Sequence, residues 1–138
     1  MSHIRSRFAA DPLRRHLESR RATLVDEVVL SRRPDQPLHC LRPAVLRDAA
    51  HAFVSGFPGT TLYAVKCNPE ASVLRALWDG GIRHFDCASA GEVELVRHIL
   101  PRAQIHFMHP VKSRSAIRAA WERHHVRDFV VDSVAELG

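Results

Sequence analysis

Four short apolar runs, at residues 60–67, 82–87, 104–108 and 127–131, alternate with stretches of helical spacing. Val73, Leu74, Leu77 and Trp78 form the first helical set. Val93, Val96 and Leu100 form the second, and Ala116, Ile117, Ala120 and Trp121 the third. The joints are brief and carry breakers: Asn68-Pro69, Gly80-Gly81 and Pro101. Strands separated by single helices on such short connections must run parallel, with right-handed crossovers and helices covering the sheet. The repeat of roughly 20–25 residues per βα unit is that of a (β/α)8 barrel. A doubly wound open sheet gives the same spacing. The expected class is α/β, with about four βα units of parallel strands.

Upstream, Val45, Ala49 and Phe53 with Leu46, Ala50 and Val54 form two four-residue rows, and Pro43 suits a helix start. Residues 38–41 and 25–30 read as short strands, 12–21 as a helix and 32–37 as a turn. Two regions follow: a basic arm over 1–36 and an α/β segment over 37–138. Residues 1–33 hold eight arginines and four acids. The arm lacks interleaved aromatics beyond Phe8, which argues against a nucleic-acid binder. No apolar stretch has membrane-spanning length, and no apolar core of a secretory signal follows the N-terminus. The three cysteines, Cys40, Cys67 and Cys87, are odd in number and form no C-x-x-C. Reduced thiols in the cytoplasm are expected.

In parallel α/β architectures reactive groups gather where strands exit toward their C-terminal ends. Here those exits read Lys66, Asp86, His109-Pro110 and Asp132. Lys66 stands out because the chain has two lysines against eighteen arginines. An arginine keeps its proton; a lysine can lose it and condense with an aldehyde as a Schiff base. Alternation along 60–67 puts Leu62, Ala64 and Lys66 on one face. Small Ala64 leaves room for the lysine stem, and an inward-facing amine would sit desolvated at the rim. A snorkelling strand-end lysine is the alternative. Asp86, on the next strand, is placed to hold the ammonium or guide a proton, or else to make a structural ion pair or turn.

Ser89-x-x-Glu92 and Ser133-x-x-Glu136 are capping boxes. Glu136 is read as a cap; Glu92 can be a cap, a site carboxylate or both. His106 and His109, three apart on a strand, face opposite sides and do not suit a shared metal, so no metal site is expected. His124-His125 reads as an exposed connection, and Cys67 and Cys87 as small apolar residues. Lys112 is either an anion-attracting or a solvated side chain. No phosphate loop, dinucleotide fingerprint or serine elbow is present.

Tyr63-Ala64-Val65-Lys66-Cys67-Asn68-Pro69 resembles the lysine segment of the pyridoxal-phosphate-dependent ornithine/arginine/diaminopimelate decarboxylases, the alanine-racemase-like barrel enzymes. The stretch from Phe85 through Cys87, Ala88, Ser89 and Glu92 to Val96 is similar to the family's next block. His106 to Lys112, with its Pro-x-Lys, and Asp132-Ser133 with Glu136-Leu137 match the third and fourth. Phe-Asp-Cys-Ala-Ser looks closest to ornithine decarboxylases. The resemblance covers residues 38–138 and implies the N-terminal half of a (β/α)8 barrel. It implies pyridoxal 5'-phosphate as cofactor, joined to Lys66, with Asp86 beside it and Glu92 behind. It also implies a basic amino acid such as ornithine as substrate. The family's ring-stacking histidine, glycine-rich phosphate site and acid for the pyridine nitrogen lie on later strands and do not occur in these 138 residues. The expectation is a chain incomplete alone, working as a homodimer or with a complementing second half. A non-catalytic regulatory or cofactor-binding homologue, or an inactive fragment, is the alternative.

Overall fold

In the computed structural model, described over residues 25–137, the apolar runs become one four-stranded parallel sheet. The strands are β1 (Leu62–Ala64), β2 (His84–Cys87), β3 (Gln104–Phe107) and β4 (Asp128–Phe129), in spatial order β1-β2-β3-β4. Residues 25–32 form helix α1. It is followed by α2 (Pro43–Gly56), α3 (Ala71–Asp79), α4 (Ala90–Ile99) and α5 (Arg114–His124). The chain divides into two units between Leu41 and Arg42.

In the first unit the expected strand over 25–30 is a helix. Val25 and Val28 are its half-buried positions, three apart, which is helical rather than strand spacing. The expected strand at 38–41 is an exposed, irregular segment. The proposed helix at 12–21 lies outside the described residues.

In the second unit the βαβ order is as the periodicity required. Register aligns Ala64 with Asp86, Asp86 with His106, and His106 with Asp128. Side chains alternate across the sheet, so one face carries Phe85, Cys87, Ile105 and Phe107, all buried against the helices. Leu74, Val65, Val93, Val96 and Val126 complete the core. Each large aliphatic or aromatic side chain buried here contributes about 2 kcal/mol relative to exposure. On α2 the row Leu46, Ala50, Val54 packs inward, while Phe53 is exposed and stacks on Phe57 at 5.7 Å. On α5 small Ala120 is buried, whereas Ile117 and Trp121 are exposed, so only part of the expected apolar set faces the core.

Two local devices fix the joints. Gly80 ends α3 against α2: a Cβ there would meet the Arg47 carbonyl oxygen at 2.5 Å, and Gly81 takes the left-handed φ of 105°. Arginines clamp the carbonyls where helices return to strands. Arg83 lies 4.2 Å over the Trp78 ring and donates to the Trp78 and Ile82 carbonyls. Arg127 repeats this two βα units later, 3.9 Å over Trp121 with bonds to the Trp121 and Val126 carbonyls. At the joint between them Arg97 donates to the carbonyls of Pro101, Ala103 and His124. Arginine is thus used to tie the end of the sheet opposite the strand exits, where stability rather than chemistry resides.

Candidate functional site

The chain leaves the β1 ladder at Val65. Residues Val65–Cys67 form a 3-10 turn closed by the Asn68 N–H on the Val65 carbonyl at 3.2 Å. Asn68 Oδ1 then accepts the Glu70 N–H at 3.1 Å, and the Tyr63 hydroxyl donates to the Asn68 carbonyl at 3.3 Å. Pro69 offers no N–H and holds Asn68 extended, so the ladder has no continuation there. Lys66 therefore sits on the turn just past β1 rather than on a strand reaching residue 67. The turn sends Val65 into the core beneath the helices and leaves Lys66 exposed. Its amine is solvated, not desolvated as the strand reading required. Among the described residues no hydrogen bond or ion pair engages it.

Asp86 is half-buried on the open face of β2, opposite Ala64 in the register and thus level with the residue two before Lys66. No ion pair joins it to Lys66 among the described residues. Glu92 has a defined structural task. Its Oε2 accepts the Ala88 N–H at 2.6 Å while Ser89 Oγ accepts the Glu92 N–H at 3.2 Å, a reciprocal cap on α4. That cap holds the turn directly after Asp86. Glu92 and Asp86, after burial itself, help push the buried Cys87 thiol up to about 12, so Cys87 stays neutral.

Lys112 is neither solvated nor free for an anion. Its Nζ donates to the carbonyls of His109, Pro110 and Val130 at 2.6, 3.1 and 2.5 Å, tying the exits of β3 and β4. His109 Nδ1 accepts the Val111 N–H at 3.1 Å. After β4, Val134–Leu137 is a 3-10 turn rather than an α-helix, and the expected Glu136 cap does not form. The Glu136 N–H turns instead to the Ser133 carbonyl at 3.3 Å. A hydrogen bond to Asp132 raises the Glu136 carboxyl above its ordinary value. His125 is the exposed left-handed cap of α5, but His124 is half-buried, with its carbonyl held by Arg97.

One grouping went unread in the sequence. On the open face His84 Nδ1 lies 2.9 Å from His106 Nε2, and His106 Nδ1 lies 3.3 Å from Asp128 Oδ2. The signal was present as polar residues at alternate positions of otherwise apolar strands, His84 and Asp86 on β2 and His106 on β3. Only register could bring them together. A cleft of about 510 Å3 lined by Gly91, Glu94, Leu95, Arg97, His98 and His124 lies between α4 and α5, on the helix side and away from the strand exits.

Residues 44–138 match the family described as pyridoxal-dependent decarboxylase, pyridoxal binding domain. The ornithine decarboxylase of Panagrellus redivivus is 43% identical over 75 residues, 54% of this chain and 17% of that one. Antizyme inhibitor 2 of Rattus norvegicus is 41% identical over 76 residues, again 54% of this chain and 16% of that one. The chain therefore spans less than a fifth of the length of these relatives in its aligned part. Among solved structures, lysine/ornithine decarboxylase from Vibrio vulnificus in complex with cadaverine superposes with a TM-score of 0.71 at 34% identity. That match covers 84% of this chain and 31% of that one.

Proposed function

The chain belongs to the pyridoxal-dependent decarboxylases, and from that premise we propose that it uses Lys66 to hold pyridoxal 5'-phosphate for an ornithine decarboxylase-like reaction on a basic amino acid. Its sheet is a partial (β/α)8 barrel of about four βα units, and the family's cofactor is pyridoxal phosphate. One observation carries the reading. Of two lysines at the strand exits, Lys112 spends its ammonium on three carbonyls, while Lys66 offers an exposed amine with no hydrogen-bond or ion-pair partner among the described residues. An aldehyde needs such an amine, and the donor set here fits it.

When bound, the cofactor supplies the electron sink for the pair released as carbon dioxide leaves. The chain's own residues do the rest. Lys66 provides the attachment point, and its place on a short turn fixed by Asn68 and Tyr63 limits where its Nζ can reach. Asp86 supplies a carboxylate on the neighbouring strand that holds a proton or an ammonium group near that amine. Glu92 acts through the Ala88 amide, keeping the Asp86–Ser89 turn in shape, and stands behind the cofactor in this reading. Residues 1–36 are taken as a basic arm outside the barrel segment. Among the described residues the outer edges of β1 and β4 pair with no further strand, which leaves both edges open to the rest of a barrel sheet. The free thiols Cys40, Cys67 and Cys87 suit the cytoplasm.

The similarity to antizyme inhibitor 2 favours a second reading, a regulatory homologue on the same scaffold. The full chain with pyridoxal phosphate and carboxyl-labelled ornithine separates the two. Release of labelled carbon dioxide, lost in Lys66→Ala, supports the enzyme. Cofactor absorbance without release supports the regulatory homologue.

A further inference from the structure

The interior layers of a (β/α)8 barrel are ordinarily filled by branched apolar side chains. Here the open face of the sheet carries instead His84, Asp86, His106 and Asp128, with only Leu62 and Ala64 from β1 and neutral Gln104 from β3. The two imidazole rings meet edge to edge, with centroids 5.2 Å apart and planes 30° from parallel. Their facing nitrogens, His84 Nδ1 and His106 Nε2, are at hydrogen-bond distance, 2.9 Å. One of them must therefore carry a proton and the other must not.

We infer that His84, His106 and Asp128 form a proton relay on the interior face, in which the two imidazoles share a single added proton and Asp128 fixes its seat on His106. In the neutral state the Asp128 carboxylate accepts from His106 Nδ1–H. His106 Nε2 is then an acceptor for His84 Nδ1–H, and His84 Nε2 is bare. A proton arriving at His84 Nε2 lets the Nδ1 proton cross to His106 Nε2. His84 ends neutral, and His106 is an imidazolium donating to Asp128 on one side and to His84 on the other. No proton is gained or lost in the transfer. A second proton would set two N–H groups against each other at 2.9 Å, and the rings would have to part. The unequal environments agree with this. Burial and then His106 lower the His84 pKa, with Asp128 opposing. The His106 side chain is 17% exposed, whereas Asp128, at 62%, opens the relay to water.

The relay has an acidic neighbour. Asp86 is the register partner of His106, on strands about 4.8 Å apart and on the same face. The relay therefore lies beside Asp86 on the same face of the sheet. The relay rests on the sheet and not on the cofactor assignment, so either can fail without the other.

The test is nitrogen NMR of the full 138-residue chain with labelled histidine, without cofactor, titrated through acid to mild alkali and assigned with His84→Gln and His106→Gln. The expected result is a coupled pair, the second protonation lying about one pH unit or more below the first. At neutral pH His106 carries its proton on Nδ1. Asp128→Asn moves the first step to lower pH, and His106→Gln returns His84 to a simple single titration. Two independent steps near the ordinary imidazole value, indifferent to Asp128→Asn, overturn the relay whether they arise from a different tautomer pattern or from a chain that does not hold this sheet.

Discussion

Lys112 Nζ donates to the Val130 carbonyl at 2.5 Å, so one ammonium bridges the segment after β3 to the exit of β4. Two further carbonyls, of His109 and Pro110, complete its shell, and the Phe107 ring lies 5.9 Å below. A chain that ties its other joints with arginine uses lysine here, where a compact charge meets three converging oxygens.

Lys112→Met removes these bonds and leaves three carbonyls unmatched while keeping the stem. The expected cost is about 2 kcal/mol of stability, read as a lower urea midpoint at unchanged slope. Cofactor attachment by Lys66 should persist in the folded variant.

Cys40 and Cys67 are exposed, whereas Cys87 is buried with its thiol pushed up to about 12. Only the thiolate attacks an alkylating reagent. Iodoacetamide at pH 8 should therefore modify Cys40 and Cys67 in the native chain and reach Cys87 only after denaturant, as read by peptide mass spectrometry.

His84 is held below its ordinary value of 6.5, chiefly by burial. As pH falls, the unfolded chain takes up this proton before the folded one does. The contribution of His84 to stability is thus full above about pH 6.5 and declines as pH drops through its lowered folded value. Thermal melts from pH 7.5 to 5 should show this loss, and His84→Gln should flatten that part of the profile.

The order of strands and helices was legible because each βα unit repeats its own periodicity and breakers. The α4 cap was legible because Ser89 and Glu92 are local partners. Lys66 was placed one element too early: Leu62, Ala64 and Lys66 alternate as a strand would, but the Asn68-Pro69 pair stops the ladder, and that local signal outweighs the alternation. The expected strand at Val25–Leu30 is a helix for the opposite reason, since β-branched composition hid a helical spacing. The pairing of His84 with His106 spans 22 residues and depends on strand register, which no local pattern encodes. The commitment of Lys112 to carbonyls depends likewise on where β4 ends.

The central claim is that the Lys66 amine is the group that joins the cofactor aldehyde. The direct measurement is borohydride reduction of the full chain in the presence of pyridoxal phosphate, followed by peptide mass spectrometry. The account predicts a pyridoxyl group on the peptide containing Lys66 and none on Lys112. A label absent from Lys66, or one carried by Lys112 instead, would contradict it.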